Sequence, residues 1–116
     1  MFRGDWKIAT IALGGTLSDE VDLATGYNTL FDTVVVNIPV IDSAQVNIQT
    51  AEEKGGTFFD AYLVEGNGTN CKIITNVGTG NFLWNIPLAG AQFIKIQTSA
   101  AQTGGARVFR ICGIRT

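Results

Sequence analysis

Short runs rich in Val, Ile, Thr and Phe, broken by Gly, Asn and Asp, recur roughly every dozen residues along this chain. That rhythm is the spacing of an antiparallel sandwich or barrel, not of alternating strands and helices. Only residues 51–54, Ala-Glu-Glu-Lys, cluster good helix formers, and Gly55-Gly56 stops them at once. At 116 residues the chain is long enough for one core, so residues 1–116 are read as a single all-β domain.

Nine strand-like runs can be read, for a sandwich of about eight strands. The first covers residues 6–13. Trp6 and Ile8 lie on one face and Ile11 and Leu13 on the other, which implies an edge or a bulge near Ala9-Thr10. Gly14-Gly15 turns the chain into a weaker strand at 16–23, with Leu17, Val21 and Leu23 inward and Ser18 and Asp22 outward. Residues 24–28 are a loop. Residues 33–39 alternate most strongly, and Pro39, which has no N–H to donate, closes that strand or places it on an edge. Residues 44–50 put Val46 and Ile48 inward and Gln45, Asn47 and Gln49 outward. Residues 58–64 form a strand whose core face the pattern leaves open. A hairpin-type turn at 65–70 leads to a strand at 71–77. A Gly-Asn turn at 78–81 precedes a strand at 82–87, ended by Pro87. Two long strands close the chain, 93–99 and 106–115, joined by a small, flexible loop at 100–105 and read as a hairpin. The expected architecture is an antiparallel two-sheet sandwich, jelly-roll-like.

The residue inventory argues against catalysis. There is no His, which removes the most frequent general base and the commonest transition-metal ligand. Cys71 and Cys112 lack zinc-site spacing. Without a signal peptide of the usual layout, the chain reads as made in the cytosol, which favours two reduced, buried thiols over the cross-sheet disulfide that their strand-like runs also allow. Asp19, Glu20 and Asp22 lack the ligand pattern of a calcium loop, and Asp60 with Glu65 reads as a sheet-face acid and a turn acid. The Gly-rich segments at 12–17 and 78–80 lack the helix that completes a phosphate site. No cofactor or metal is expected. The eight Lys and Arg are scattered and the net charge is −2, so no nucleic-acid footprint is present. No stretch approaches the roughly 18 apolar residues of a membrane span. Charged residues make up only 16% of the chain, a composition that reserves surface for protein partners. Trp6, Tyr62 and Trp84 are the remaining handle, as core or interface residues or as a sugar-stacking platform.

Residues 91–96, Ala-Gln-Phe-Ile-Lys-Ile, resemble the penultimate strand of galactose-binding-like jelly rolls. Over nearly its full length the chain resembles a group of small tailed-phage virion proteins. The likeness rests on an ordered set of short motifs. They are Gly-Gly-Thr-Leu-Ser at 14–18, Val-Asp-Leu at 21–23, Ile38-Pro39 and the alternating strand at 46–50. Gly-Thr-Phe-Phe-Asp at 56–60 and Phe-Ile-Lys-Ile at 93–96 follow, then Ser-Ala-Ala-Gln-Thr at 99–103 and Arg-x-Phe-x-Ile at 107–111.

The resemblance implies a non-enzymatic structural protein of a tailed-phage virion, above all a capsid decoration (cement) protein. Its partners would be the major capsid protein or other virion proteins. A closed cyclic homo-oligomer, taken as a trimer, fits such repeated contacts. The expected location is the virion, after synthesis in the host cytoplasm. A tail, neck or fibre component is the alternative, and a carbohydrate-binding module the alternative of another class. Phe2, Arg3 and Trp6 are expected to contact partners from an N-terminal arm at residues 1–5. Lys95 and Arg110 are expected to do so from the closing pair, whose faces mix charge with apolar residues. Removing residues 1–5 is then expected to abolish shell occupancy without changing the melting temperature.

Overall fold

The computed structural model describes residues 2–24, 31–64, 68, 70–88 and 90–116. Among the described residues lie eleven strands and no helix, so none is long and apolar enough to cross a membrane. In chain order the first five are β1 (Phe2–Arg3), β2 (Lys7–Ile11), β3 (Val21–Asp22), β4 (Thr33–Ala44) and β5 (Val46–Ala51). The rest are β6 (Phe59–Asp60), β7 (Tyr62–Val64), β8 (Asn70–Lys72), β9 (Gly78–Ile86), β10 (Phe93–Thr98) and β11 (Arg107–Arg115). The first sheet has the order β1/β2, β11, β4, β9, with β1 and β2 end to end along one edge of β11. The second has the order β3, β10, β5, β6, and β7 with β8 forms a small separate pair. Every pairing is antiparallel.

Alternation builds the core. Val34, Val36 and Ile38 of β4 and Phe109 and Ile111 of β11 point inward from the first sheet. Val46 and Ile48 of β5 and Ile94 and Ile96 of β10 meet them from the second. The two inner faces bury one continuous apolar cluster, the arrangement of a two-sheet sandwich. This is the expected fold class.

The details differ from the sequence reading in several places. The closing pair is not a hairpin, because β10 belongs to the second sheet and β11 to the first. The loop between them, 99–106, crosses from sheet to sheet and is anchored. Buried Gln102 accepts a hydrogen bond from the Asp42 N–H at 2.8 Å through its side-chain oxygen, and exchanges two backbone bonds with the turn at Gly14-Gly15. Thr103 and Gly104 donate to the Asp42 carboxylate, and Arg107 closes the cluster with a 2.7 Å ion pair to it.

Pro39 does not end its strand, which runs on to Ala44. The ladder to β9 joins Ile38 to Phe82 and Val40 to Gly80 but skips Pro39 opposite Asn81, since proline has no N–H to give. Gly80 and Asn81 both have positive φ there, 76° and 68°. A Cβ on Gly80 would overlap the Pro39 carbonyl oxygen. The expected Gly-Asn turn at 78–81 is therefore a distortion inside a nine-residue strand.

Of the edge or bulge expected near Ala9-Thr10, the edge is found: β2 lies at the rim of the first sheet and pairs with β11 without a break from Lys7 to Ile11. Ala9 and Ile11 face the core, Ile8 faces solvent, and Leu13 lies in the following turn. The 16–23 strand shrinks to β3 with isolated bridges at Leu17 and Ser18, and those two exchange roles. Ser18 is buried because its Oγ accepts the Ile96 N–H, and Leu17 is exposed. Asn47 is buried rather than outward-exposed, covered by Asp60 and a bridge to Ile74. Residues 58–64 split into β6 and β7 around buried Ala61, and the strand expected at 71–77 shortens to β8. Most of the loop expected at 24–28, most of the turn at 65–70, and Glu65 lie outside the described residues. Cys112 is a buried thiol, and Cys71 is half-buried rather than buried.

Candidate functional site

The outer face of the first sheet follows from the same alternation that builds its inner one. Strand registers align Ile8 of β2, Arg110 of β11, Asn37 of β4 and Leu83 of β9 in one row across four strands. Val108 and Thr10 form a neighbouring row, and Cys112, Val35 and Asn85 another. Ile8 and Leu83 are each 60% exposed and Val108 46%. The Arg110 guanidinium lies 5.3 Å from the centre of the Trp6 ring, a cation–π contact that fixes a cationic head among apolar neighbours. Neither ion pair among the described residues, Lys72–Asp60 or Arg107–Asp42, involves Arg110. This face thus carries apolar area and the held charge of Arg110, with Arg3 opposite Ile114 at its β1 end.

Two of the expected partner residues, Trp6 and Arg110, meet here. Phe2 and Arg3 lie at the end of the same sheet, in β1 against Ile114 and Arg115. They do not form a free arm. The Phe2 ring stacks on Phe31 at 6.2 Å, the Gly4 N–H donates to the Gly113 carbonyl, and β1 extends the edge of β11. Buried Cys112, its thiol pushed up in pKa by desolvation, sits within 3.3 Å of the Gly4 carbonyl oxygen. Lys95 is on the other sheet, 4.6 Å above the Phe58 ring. Residue reasoning missed Ile8, Leu83 and Val108. The signal was present in the phase of the 6–13 and 106–115 alternations, once Ala9 and Phe109 are taken as the inward residues.

The outer face of the second sheet is polar and internally satisfied. Gln49 and Asn47 each donate to Asp60 at 3.1 Å, and Lys72 pairs with it at 3.3 Å. The Gln49 hydrogen bond, with Lys72 and Asn47 behind it, holds the Asp60 carboxyl below its ordinary range. Such a face has little left to offer a partner.

The other candidates disperse. Asp19 accepts the Thr10 N–H, Glu20 the Gly55 N–H, and Asp22 the Ala24 N–H and the Gln92 side chain. Each of these acids is tied to its own segment, and no group of three metal-ligating side chains is found among the described residues. The aromatic platform does not form. Trp6 lies on the outer face of the first sheet and Trp84, paired with Val36, points to the core side, while Tyr62 is in the separate β7–β8 pair. A groove of about 530 Å3 runs beside β9, lined by Ile74, Val77, Thr79, Phe82 and Trp84 among others.

The fold is shared with the SPBc2 prophage-derived protein YomS, with a TM-score of 0.56 and 13% identity, over 97% of this chain and 95% of that one. The Yersinia pseudotuberculosis-derived mitogen aligns with a TM-score of 0.40 and 8% identity, over 97% and 85%. The cyanophage Pam1 capsid asymmetric unit aligns with a TM-score of 0.32 and 17% identity, over 98% and 88%. Neither of these two reaches the overlap of a shared fold. No family model and no curated protein sequence matches the chain.

Proposed function

We propose that this protein is a non-enzymatic structural component of a tailed-phage virion, a capsid decoration protein that binds the shell through repeated protein–protein contacts. The observation that carries the proposal is the outer face of the first sheet. Exposed Ile8, Leu83 and Val108 surround an Arg110 held on Trp6, on a sandwich whose opposite outer face is polar and satisfied. Apolar area around an anchored Arg is the composition of an interface centre. Many weak copies of such a contact hold a shell by avidity. The ordered virion-protein motifs of the chain support the reading, as does the fold it has in common with a prophage-derived protein. So does the strand order, with β1/β2 taken as one strand and the β7–β8 pair set aside: β1/β2, β11, β4 and β9 against β3, β10, β5 and β6, the order expected of a jelly roll.

The test is the copy number and location of the chain in purified particles, with wild type and Ile8→Asp compared. A shell protein is present in hundreds of copies and a neck or fibre component in a handful. Occupancy in the hundreds that falls on Ile8→Asp supports the proposal. A handful of copies at the tail moves the protein to the alternative role. Undiminished shell occupancy of a folded Ile8→Asp chain removes this face from the contact.

A further inference from the structure

Sheet edges are where a sandwich either defends itself or recruits another chain, because each edge presents a row of unpaired backbone N–H and C=O groups. Of the four edges of the two larger sheets, three are short or charged. The β1/β2 edge carries Arg3 and Lys7. The β3 edge is two residues long and carries Asp22, and the β6 edge is two residues long and carries Asp60. The fourth edge differs. β9 is nine residues long, Gly-Thr-Gly-Asn-Phe-Leu-Trp-Asn-Ile, with no charged side chain. Among the described residues it pairs only with β4. Both of its faces are apolar near the rim, with Phe82 46% and Leu83 60% exposed.

We infer that β9 pairs antiparallel with β9 of a second copy of this chain, joining two first sheets into one continuous sheet across a two-fold axis. The argument for a second copy is electrostatic and geometric. A two-fold contact lays the edge against an identical copy of itself, so charges of one sign along it would face one another. This is the one long edge without a charge. The left-handed pair Gly80-Asn81 interrupts regular extension, which leaves Phe82–Ile86 as the pairing segment and Trp84 at its centre. Trp84 then lies opposite Trp84 of the partner, and Phe82 opposite the partner's Ile86. Directly opposed residues share a face. The inward row Phe82, Trp84, Ile86 therefore continues into that of the second copy, over the groove beside β9. Such an isologous contact closes at two copies, not the three of the sequence-based expectation. It rests on the fold alone, and it stands or falls independently of the virion assignment.

The test uses the full chain in solution. Light scattering across a dilution series reads the mass, and amide exchange at high and low concentration reads the edge. The expected result is a reversible dimer whose amides in 82–86 exchange more slowly than in the monomer. Leu83→Lys and Asn85→Lys, both at exposed positions, weaken the dimer by about tenfold or more with wild-type melting. A chain that is monomeric at every concentration overturns the inference. So does self-association that survives both Lys variants, or one that leaves exchange across 82–86 unchanged. The exchange measurement on the wild type decides the matter even if a variant folds poorly.

Discussion

At the residue scale, packing around Phe31 is a tight constraint that two glycines make possible. Phe31 is buried, and a Cβ on Gly113 would overlap its ring, while one on Gly4 would come within 2.8 Å of it. Gly113→Ala should therefore cost about 1–3 kcal/mol through overpacking, read as a lower midpoint in chemical denaturation. An unchanged midpoint would mean that the ring moves aside freely. Asp42 sets a pH dependence. Hydrogen bonds from the Thr103 hydroxyl and N–H, with the Arg107 ion pair, lower its pKa from 3.8 to about 2. Because the folded value lies below the unfolded one, this stabilisation is complete above the ordinary carboxylate range and is lost as pH falls toward 2. Asp32 and Asp60 are also lowered, so the acid limb has several contributors. Asp42→Asn should make stability fall less steeply over that window than in wild type. Equal slopes in the two proteins would show that Asp42 adds nothing to the limb.

At the element scale, two connections do more than join strands. The N-terminal β1 covers Phe31 and lengthens the edge of β11, so removing residues 1–5 strips the Phe2 stack and the Gly4 bond together. The truncated chain should melt measurably below wild type. The sequence reading, which took this segment for a detached arm, expected no change, and a calorimetric scan separates the two. The crossing loop 99–106 depends on Gln102. Its side-chain oxygen also receives the Arg107 Nε–H at 3.3 Å, and its amide reaches the Ala100 carbonyl at 3.1 Å. Gln102→Ala leaves the Asp42 N–H without its partner in a part-buried setting, a loss of about 1 kcal/mol, at the low end of the cost of an orphaned donor. Urea denaturation at neutral pH measures it, and a loss below the error of the fit would show that water replaces the side chain.

At the scale of the whole molecule, the sandwich separates its surfaces by chemistry. One outer face is apolar with a held Arg, the other is a closed hydrogen-bonded network, and one long edge is left uncharged. Arg110→Glu reverses the only charge in its cross-strand row without touching the core. It should leave the melting temperature near wild type and reduce binding to the proposed virion partner. If β9 pairs with itself, dimer mass should be indifferent to Arg110→Glu, because face and edge are different surfaces. A dimer lost in that variant would locate self-association on the face instead.

Fold class was legible because alternation and turn chemistry are local: Val34, Val36 and Ile38, or Val46 and Ile48, announce a core face wherever they lie. Trp6 and Arg110 were legible as partner candidates because each puts a large or charged side chain in a strand-like run. Other features were beyond local pattern. Phe93–Thr98 and Arg107–Arg115 read equally well as hairpin partners or as strands facing each other across a core, since both arrangements bury alternate residues. Gly80-Asn81 reads as a turn because turns and mid-strand distortions need the same positive φ, and only the opposing Pro39 distinguishes them. The sequence by itself determined that this chain is all-β with one core, through the two-residue period of its strands. Which strands became neighbours, and so which face and which edge stayed open to a partner, was decided only by the tertiary structure. Those relations join residues far apart in the chain, and no local period encodes them.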